Sequence, residues 1–176
     1  LDEADGLYSL SLDALVVPEQ LRTGQLIGRR LKAEDLDLLT AWSVAYSVEL
    51  LGSDEDQDLW DESRESMEEK LRTGDSWVLE EYGEVVANTS FNAAVREAVQ
   101  IGGVYTSPEL RGRGYGRAVV AASLLDACSE GVETAVLFTG DANKPARKAY
   151  AALGFRRIGD YRLSILRDSV GRWQSI

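Results

Sequence analysis

The hexapeptide RGRGYG, Arg111–Gly116, places three glycines in five positions, and Arg117 and the apolar run AVVAASLLDA follow it. Glycine is poor in helix and strand interiors, so this spacing predicts a loop that needs positive φ or a close approach to a ligand. The first N–H groups of the helix that follows have no helical partner, and the helix dipole there favours an anion. Arg111 and Arg113 add donors suited to phosphate. The stretch therefore predicts an anion-binding loop.

The spacing of these glycines excludes two common nucleotide loops. A Walker A loop needs Gly, four residues and then Gly-Lys-Ser/Thr, and the sequence contains no such run. The dinucleotide fingerprint is G-x-G-x-x-G with an acidic residue about 20 positions later, whereas this loop is G-x-G-x-G and Asp141 comes too late. A protein that binds other phosphates through the loop stays an alternative.

A second motif, NKPARKAYAALGF, begins at Asn143, which is 27 residues after Gly116. With R-x-x-G-x-G at Arg111–Gly116, it resembles the GNAT superfamily of acetyl-CoA-dependent N-acetyltransferases, whose second block reads N-x-x-A-x-x-x-Y-x-x-x-G-F. The resemblance covers about Leu26 to Leu166 in element order and is specific from Val99 to Phe155. It implies an α+β fold, with a mixed, mostly antiparallel sheet of about six or seven strands and about four helices on both faces.

The resemblance also implies a set of residues that bind acetyl-CoA as acyl donor. In the family, the glycine loop binds the pyrophosphate, the preceding strand pairs with the pantetheine arm, and one strand N–H acts as oxyanion donor, here that of Val104. The expected acetyl-CoA-binding residues are Val104, Tyr105, Thr106, Arg111, Gly112, Arg113, Gly114, Tyr115, Gly116, Arg117, Asn143, Ala146 and Tyr150.

Tyr150 stands where the family keeps its general acid, because a phenol with a pKa of about 10 is protonated at neutral pH and can protonate a leaving thiolate. For the general base, Glu80 and Glu49 are both candidates, and a chain of water molecules is the alternative. The residues expected to wall the acceptor cleft are Trp42, Tyr46, Phe91 and Asn92. Core packing is an equally good interpretation of Trp42.

Composition narrows the chemistry further. The chain has no histidine, which excludes Ser–His–Asp and Cys–His catalysis and histidine metal sites. No metal is expected, since the acidic tract Asp54–Glu65 lacks the glycine of a calcium loop.

The net charge of −11 argues against nucleic acid as a partner. Residues 1–100 hold 8 Lys and Arg against 23 Asp and Glu, and residues 101–176 hold 11 against 7. The second half is therefore expected to meet an anion, and the acidic first half favours a cationic acceptor.

The order of elements predicts an N-terminal extension, 1–25, with one strand within Leu7–Val17, followed by the acetyltransferase domain, 26–176. Strands are expected at Leu26–Leu31, Trp77–Glu80, Val85–Asn92, Val99–Val104, Thr134–Thr139 and within Phe155–Leu166. Helices are expected from about Leu38 to Leu51, to about Leu71 after Ser53, from Tyr115 to Ser129 and from Lys144 to Leu153. The extension and the initial Leu suggest the C-terminal part of a longer or tandem protein. A homodimer or a missing N-terminal half is accordingly the expected partner.

One cysteine suits a reducing compartment, and no apolar run is long enough to span a membrane, so a cytoplasmic protein without a membrane partner is expected. Cys128 is expected in the core, on a stripe with Val120 and Leu124.

The predicted function is transfer of an acetyl group from acetyl-CoA to an amine of a small molecule or peptide, by direct attack in a ternary complex. A non-catalytic acyl-CoA-binding sensor or scaffold is the alternative.

Overall fold

The computed structural model describes residues 5–161, 165–167 and 173–175, and its centre is a seven-stranded sheet in the order β2-β3-β4-β5-β6-β1-β7. The pairing of β5 with β6 is parallel and every other pairing in this sheet is antiparallel. The α+β fold with a mostly antiparallel sheet is thus confirmed. Its strands are β1 (Asp5–Ser11), β2 (Leu26–Arg30), β3 (Ser76–Glu81), β4 (Glu84–Ala94), β5 (Ala98–Tyr105), β6 (Thr134–Gly140) and β7 (Arg156–Tyr161).

Two further strands, β8 (Ile165–Arg167) and β9 (Trp173–Ser175), pair with each other in a separate ladder. Of the strands predicted within Phe155–Leu166, β7 is present, and positions 162–164 lie outside the described residues. The turn between β3 and β4 has positive φ at Tyr82 and Gly83, 53° and 83°. Two successive residues with positive φ are typical of the tight hairpin turns whose twist matches that of the strands.

In the described part of the chain, five α-helices accompany the sheet: α1 (Glu19–Arg22), α2 (Leu36–Tyr46), α3 (Gln57–Thr73), α4 (Tyr115–Ser129) and α5 (Lys144–Leu153). The helix predicted to reach Leu51 changes at Ser47 into a single π-turn, Ser47–Leu51, which ends at the left-handed Gly52. Asp56 begins α3 because its Oδ1 accepts the N–H of Leu59 at 2.9 Å. Gly74 ends α3 in a left-handed conformation, as is common for a helix terminus.

The N-terminal strand is shorter than predicted and lies inside the sheet. β1 ends at Ser11, and Leu12–Ala14 form one turn of 3₁₀ helix instead of continuing the strand. β1 pairs with β6 on one side and with β7 on the other. The extension therefore completes the sheet that the rest of the chain builds, and a domain boundary at residue 25 stays a prediction.

The two faces of the sheet are covered by different helices. α4 packs on the face formed by β2, β3 and β4, where Leu79, Ala87 and Val119 are fully buried. The approach is close enough that a Cβ at Gly28 would lie 2.2 Å from the Cβ of Ala122. On the opposite face, α2 and α3 bury a smaller cluster with β3, made of Leu31, Leu36, Leu39, Met67 and Val78.

The expectation that Cys128 lies in the core is wrong, and Leu38, at the start of the predicted helical spacing, is exposed as well. Cys128 is exposed, because the buried stripe of α4 passes through Leu124 and Ala127 and position 128 is rotated a further 100° out of it. Leu38 is 40% exposed, because the buried face of α2 instead contains Leu36 and Leu39. In both helices the spacing was helical, but the apolar residues did not all belong to one face.

Candidate active site

The sheet opens between β5 and β6. Their parallel ladder joins only three pairs of residues among those described, from Ala98 with Thr134 to Gln100 with Val136. Beyond these pairs β5 continues to Tyr105 along β4, while β6 continues along β1 to Gly140. The second half of β5 therefore has a free edge toward β6, which is the kind of edge that can pair with an extended ligand.

A β-bulge lies at the end of β5. Three residues of β4, Asn88–Ser90, span the same length as four residues of β5, Gly102–Tyr105. Gly103 has a positive φ of 58°, and a Cβ at Gly102 would lie 2.1 Å from Nδ2 of Asn92. The positive φ favours glycine at position 103, and a side chain at position 102 would displace the side chain of Asn92. The sequence carries the signal for this bulge, because a Gly-Gly pair inside a predicted strand favours a bulge or a close backbone approach.

The glycine loop follows β5 directly and ends at the first turn of α4. Gly112 and Gly114 have φ of 80° and 85°, and Gly114 is the residue that caps α4. The first N–H of this helix with a helical partner is that of Ala118, which donates to the carbonyl of Gly114 at 3.0 Å. The three preceding N–H groups of α4 are consequently directed outward, as an anion site requires.

The helix start also lies against the end of β5. A Cβ at Gly116 would lie 3.7 Å from Cγ1 of Val104 and 3.8 Å from Oγ1 of Thr106. The predicted pantetheine and pyrophosphate segments are therefore neighbours in space. Tyr115 contributes only its backbone here, because its side chain is buried and its hydroxyl donates to Glu81 at 2.5 Å. That hydrogen bond raises the pKa of Tyr115.

The arginines of the loop differ in their partners. The two terminal nitrogens of Arg111 donate hydrogen bonds to the two carboxylate oxygens of Glu49, each at 2.6 Å. Its Nε donates to the carbonyl of Thr106 at 2.9 Å. This pairing lowers the pKa of Glu49. Arg113 and Arg117 form no ion pair with any described carboxylate, and the buried Nε of Arg117 has no hydrogen-bond partner among the described residues. These two side chains leave donors for an anion.

A cavity of about 260 Å³ lies on the α2–α3 face of the sheet, beside the bulge. Its lining is mostly polar and aromatic, and three predicted acceptor residues, Trp42, Tyr46 and Asn92, belong to it. The full lining is Leu39, Trp42, Ser43, Tyr46, Ser47, Ser66, Met67, Lys70, Asn88, Ser90, Asn92, Gly103 and Tyr105. Phe91 does not line it, because adjacent strand residues point to opposite faces; Phe91 packs on Trp77 on the α4 side, with ring centroids 4.3 Å apart.

Sequence reasoning missed two polar side chains of this cavity, the charged Lys70 and the buried Asn88. Lys70 is on α3 and Asn88 is on β4, 18 positions apart in the chain, and neither belongs to a motif. Burial lowers the pKa of Lys70, and the charge of Asp75 opposes this effect. Asn88 is 7% exposed, and its Oδ1 has no hydrogen-bond partner in the described part of the chain. A lone lysine on an acidic helix gives no signal in the sequence.

Aromatic rings line the cavity, and one of them, Tyr46, acts electrostatically on the buried Tyr150. The ring of Tyr105 lies 5.7 Å from that of Trp42 and 6.4 Å from that of Tyr46. Tyr150 is 9% exposed and packs on Phe155 at 5.9 Å. Burial, with a smaller contribution from Tyr46, raises the pKa of Tyr150 to about 12. Tyr150 is therefore protonated throughout the physiological pH range, and it is not among the residues that line the cavity.

The second motif forms the start of α5. The Oδ1 of Asn143 accepts the N–H of Ala146 at 3.1 Å and so caps this helix. Ala146 packs against the core cluster that contains Tyr150. Contact of Asn143 with pantetheine stays a prediction; its established contact is the helix cap.

The two candidate bases lie in ion pairs outside the cavity lining. Glu49 binds Arg111, as described above. Glu80 accepts from Nε of Arg29 at 2.6 Å, and the same guanidinium binds Asp35. Neither carboxylate is among the residues that line the cavity, so their role as base stays a prediction without support from the geometry.

Within the described residues, no group of three or more His, Cys, Asp or Glu side chains is placed to bind a metal. In that same part of the chain, none of the helices has the length and apolar character needed to cross a membrane.

Residues 37–155 match the family model of the acetyltransferase (GNAT) family. Similar solved structures include an acetyltransferase from the GNAT family of Colwellia psychrerythraea, with TM-score 0.65 and 15% identity over 92% of this chain and 56% of that one. A predicted acetyltransferase with acetyl-CoA from Clostridium acetobutylicum has TM-score 0.58 and 18% identity over 77% and 93% of the two chains. An N-acetyltransferase from Staphylococcus aureus Mu50 has TM-score 0.63 and 20% identity over 76% and 85%. At these identities the likeness shows the fold.

The chain spans only part of several similar structures. It covers 60% of a functionally unknown conserved protein from Staphylococcus epidermidis, which it matches with TM-score 0.66 and 11% identity over 91% of its own length. A comparison with curated protein sequences finds no match.

Proposed function

The chain belongs to the acetyltransferase (GNAT) family, and from this premise we propose that it transfers an acetyl group from acetyl-CoA to an amine of a small molecule or peptide, by direct attack in a ternary complex. The observation that carries the proposal is the position of the end of β5. Gly103 and Tyr105 line the polar cavity, while Val104 and Thr106 contact the start of α4. A donor along this strand would therefore meet an acceptor in the cavity.

The loop and the strand edge fit the two ends of the donor. The outward N–H groups of Tyr115–Arg117 and the side chains of Arg113 and Arg117 would hold the pyrophosphate. The free edge of Val104–Thr106 would pair with the amide groups of pantetheine. The acetyl thioester that acetyl-CoA supplies would then lie at the bulge. Arg111 would join the phosphate contacts by exchanging its partner Glu49.

Two groups of the chain have roles in the transfer itself. The N–H of Val104, next to the bulge at Gly103, would stabilise the negative charge that develops on the carbonyl oxygen. Tyr150 would donate its phenolic proton to the departing sulfur as the C–S bond breaks, and its burial keeps the phenol protonated at neutral pH. The amine must lose a proton before or during its attack, and water in the polar cavity is the simplest acceptor for it.

A ligand comparison and a transfer assay test this proposal together. Acetyl-CoA at about 100 times its dissociation constant should raise the free energy of unfolding by about 2.7 kcal/mol, whereas NAD and ATP should not. Release of free CoA thiol should then depend on an added amine, followed across a panel of amino acids, amino sugars, polyamines and peptides.

The outcomes separate the alternatives. Stabilisation by NAD or ATP without stabilisation by acetyl-CoA contradicts the proposal and favours a protein that binds other phosphates. Stabilisation by acetyl-CoA without thiol release for any amine favours a non-catalytic sensor or scaffold instead.

A further inference from the structure

The cavity on the α2–α3 face contains a cation, Lys70, and no acidic side chain among the described residues of its lining. Lys70 and Ser66 are one turn apart on α3, and both line the cavity. Among the described residues, no Asp, Glu or Arg lines this cavity, and Lys70 forms no ion pair. The side chain is half-buried, and the charge of Asp75, which does not line the cavity, offsets its desolvation only in part, since the pKa of Lys70 stays lowered. A partly buried ammonium group in this situation favours binding of an anion.

The same cavity contains a buried hydrogen-bond acceptor without a donor. Oδ1 of Asn88 is enclosed beside the bulge and accepts no hydrogen bond from the described residues. An amide oxygen left unpaired costs free energy, and a ligand N–H removes that cost. The cavity thus offers a site for a negative charge and a site for an N–H donor within one volume of about 260 Å³.

We infer that the acceptor is a small amine that also carries a carboxylate, an amino acid or a close analogue, with Lys70 binding the carboxylate and Asn88 accepting an N–H of the amine. This inference rests on the proposed acetyl transfer. The positive charge of Lys70 also disfavours protonation of a nearby amine, which helps to keep the nucleophile neutral. A cationic acceptor, favoured by the acidic first half, is not what this cavity suits, because the charge of the exterior does not set the charge inside a cavity.

The experiment compares amino acids with their primary amides, which keep the amine and replace only the carboxylate. For the native protein, kcat/KM of thiol release should be about tenfold or more higher for the acid than for the amide. Lys70→Met should bring this ratio near one, and Lys70→Arg should retain most of it. Lys32→Met is the matched control, because Lys32 is 57% exposed and outside the cavity lining. Thermal unfolding of each variant shows that it is folded, and Lys70→Gln replaces Lys70→Met if that variant does not fold.

Equal use of acids and amides by the native protein, or an unchanged ratio in Lys70→Met, overturns the inference while the acetyl transfer stands. If no amine is a substrate, the proposed transfer fails, and the inference is then tested by calorimetric titration of N-acetyl amino acids and their amides. Tighter binding of the acids that depends on Lys70 supports the carboxylate site, and equal binding overturns it.

Discussion

The two faces of the central sheet are built from the same strands. They differ in how many of their polar side chains lack a hydrogen-bond or ion-pair partner within the chain. On the α4 face, Ala87 and Phe91 of β4 join a close-packed apolar core. On the α2–α3 face, Asn88 and Asn92 of the same strand border a polar cavity. The alternation of side chains along β4 separates these roles residue by residue. A face whose groups are all packed contributes to stability, whereas a face with unpaired polar groups is suited to bind a ligand.

The largest expected effect is at Tyr150, a residue of the core cluster. Tyr150→Phe should lower kcat about 100-fold, because the departing sulfur loses its proton donor, while the affinity for acetyl-CoA changes little. Steady-state thiol release and calorimetric binding measure the two quantities. Because the pKa of Tyr150 is raised to about 12, native activity should show no loss from its ionisation between pH 7 and 9.

Tyr82→Phe serves as the control for this variant, since the Tyr82 side chain is 91% exposed at the hairpin turn. Full activity in Tyr150→Phe would remove the assignment of Tyr150 as the acid and leave it as a core residue.

The close-packed face should be the more sensitive to added volume. Gly28→Ala should lower the free energy of unfolding by about 2 kcal/mol, because the new Cβ would overlap the Cβ of Ala122 and force β2 away from α4. Gly159→Ala, with nothing within 4 Å of the added Cβ, should change it by less than about 0.5 kcal/mol. Urea unfolding of both variants measures the difference, and equal effects would contradict the close packing described here.

The α2–α3 face also has a region, around Arg29, where charged groups are paired with each other. Asp35 is 5% exposed, accepts from Arg29 at 2.6 and 2.9 Å and accepts the N–H of Lys32 at 2.8 Å. Burial alone would raise the pKa of Asp35, but these hydrogen bonds outweigh it and lower the pKa below 3.8. Asp35→Asn should therefore cost about 1.5 kcal/mol at neutral pH.

The pH dependence of this cost follows from the direction of the shift. A carboxyl group with a lowered folded pKa stabilises the fold fully above its unfolded pKa and loses that contribution as pH falls through the folded value. The difference in unfolding free energy between the native protein and Asp35→Asn should thus be constant above about pH 5 and shrink below pH 4. A difference that grows on acidification would contradict this account. Chemical unfolding at several pH values provides the measurement.

The smallest expected effect concerns the exposed pair of Glu49 and Arg111. If Arg111 exchanges Glu49 for phosphate, Glu49→Gln should tighten acetyl-CoA binding about two- to fivefold, which is the range of an exposed ion pair. Glu68→Gln removes a comparable partner from Arg64, away from the loop, and should leave the affinity unchanged. Weaker binding in Glu49→Gln would show that Glu49 positions Arg111 instead of competing for it.

The regularly spaced elements were predictable. The hairpin, the bulge at Gly102–Gly103 and the start and end of α4 and α5 follow from local preferences of a few residues, and all of them are present. The length of β1 and the π-turn after Tyr46 were not predictable, because tertiary contacts determine where those segments leave regular structure. The exposure of Cys128 and Leu38 shows the same limit for helix faces.

The sequence by itself determined the glycine loop at the head of α4 and its spacing from the second motif, because positive φ and helix capping depend on the residues present. Only the tertiary structure decided which charged and polar side chains have a partner within the chain. Arg111 lies 62 positions from Glu49, and Lys70 lies 18 positions from Asn88, so neither the ion pair nor the unpaired groups of the cavity can be inferred from local sequence. Electrostatic interactions depend on distance and burial in the folded chain, and both are set when the sheet and its helices pack together.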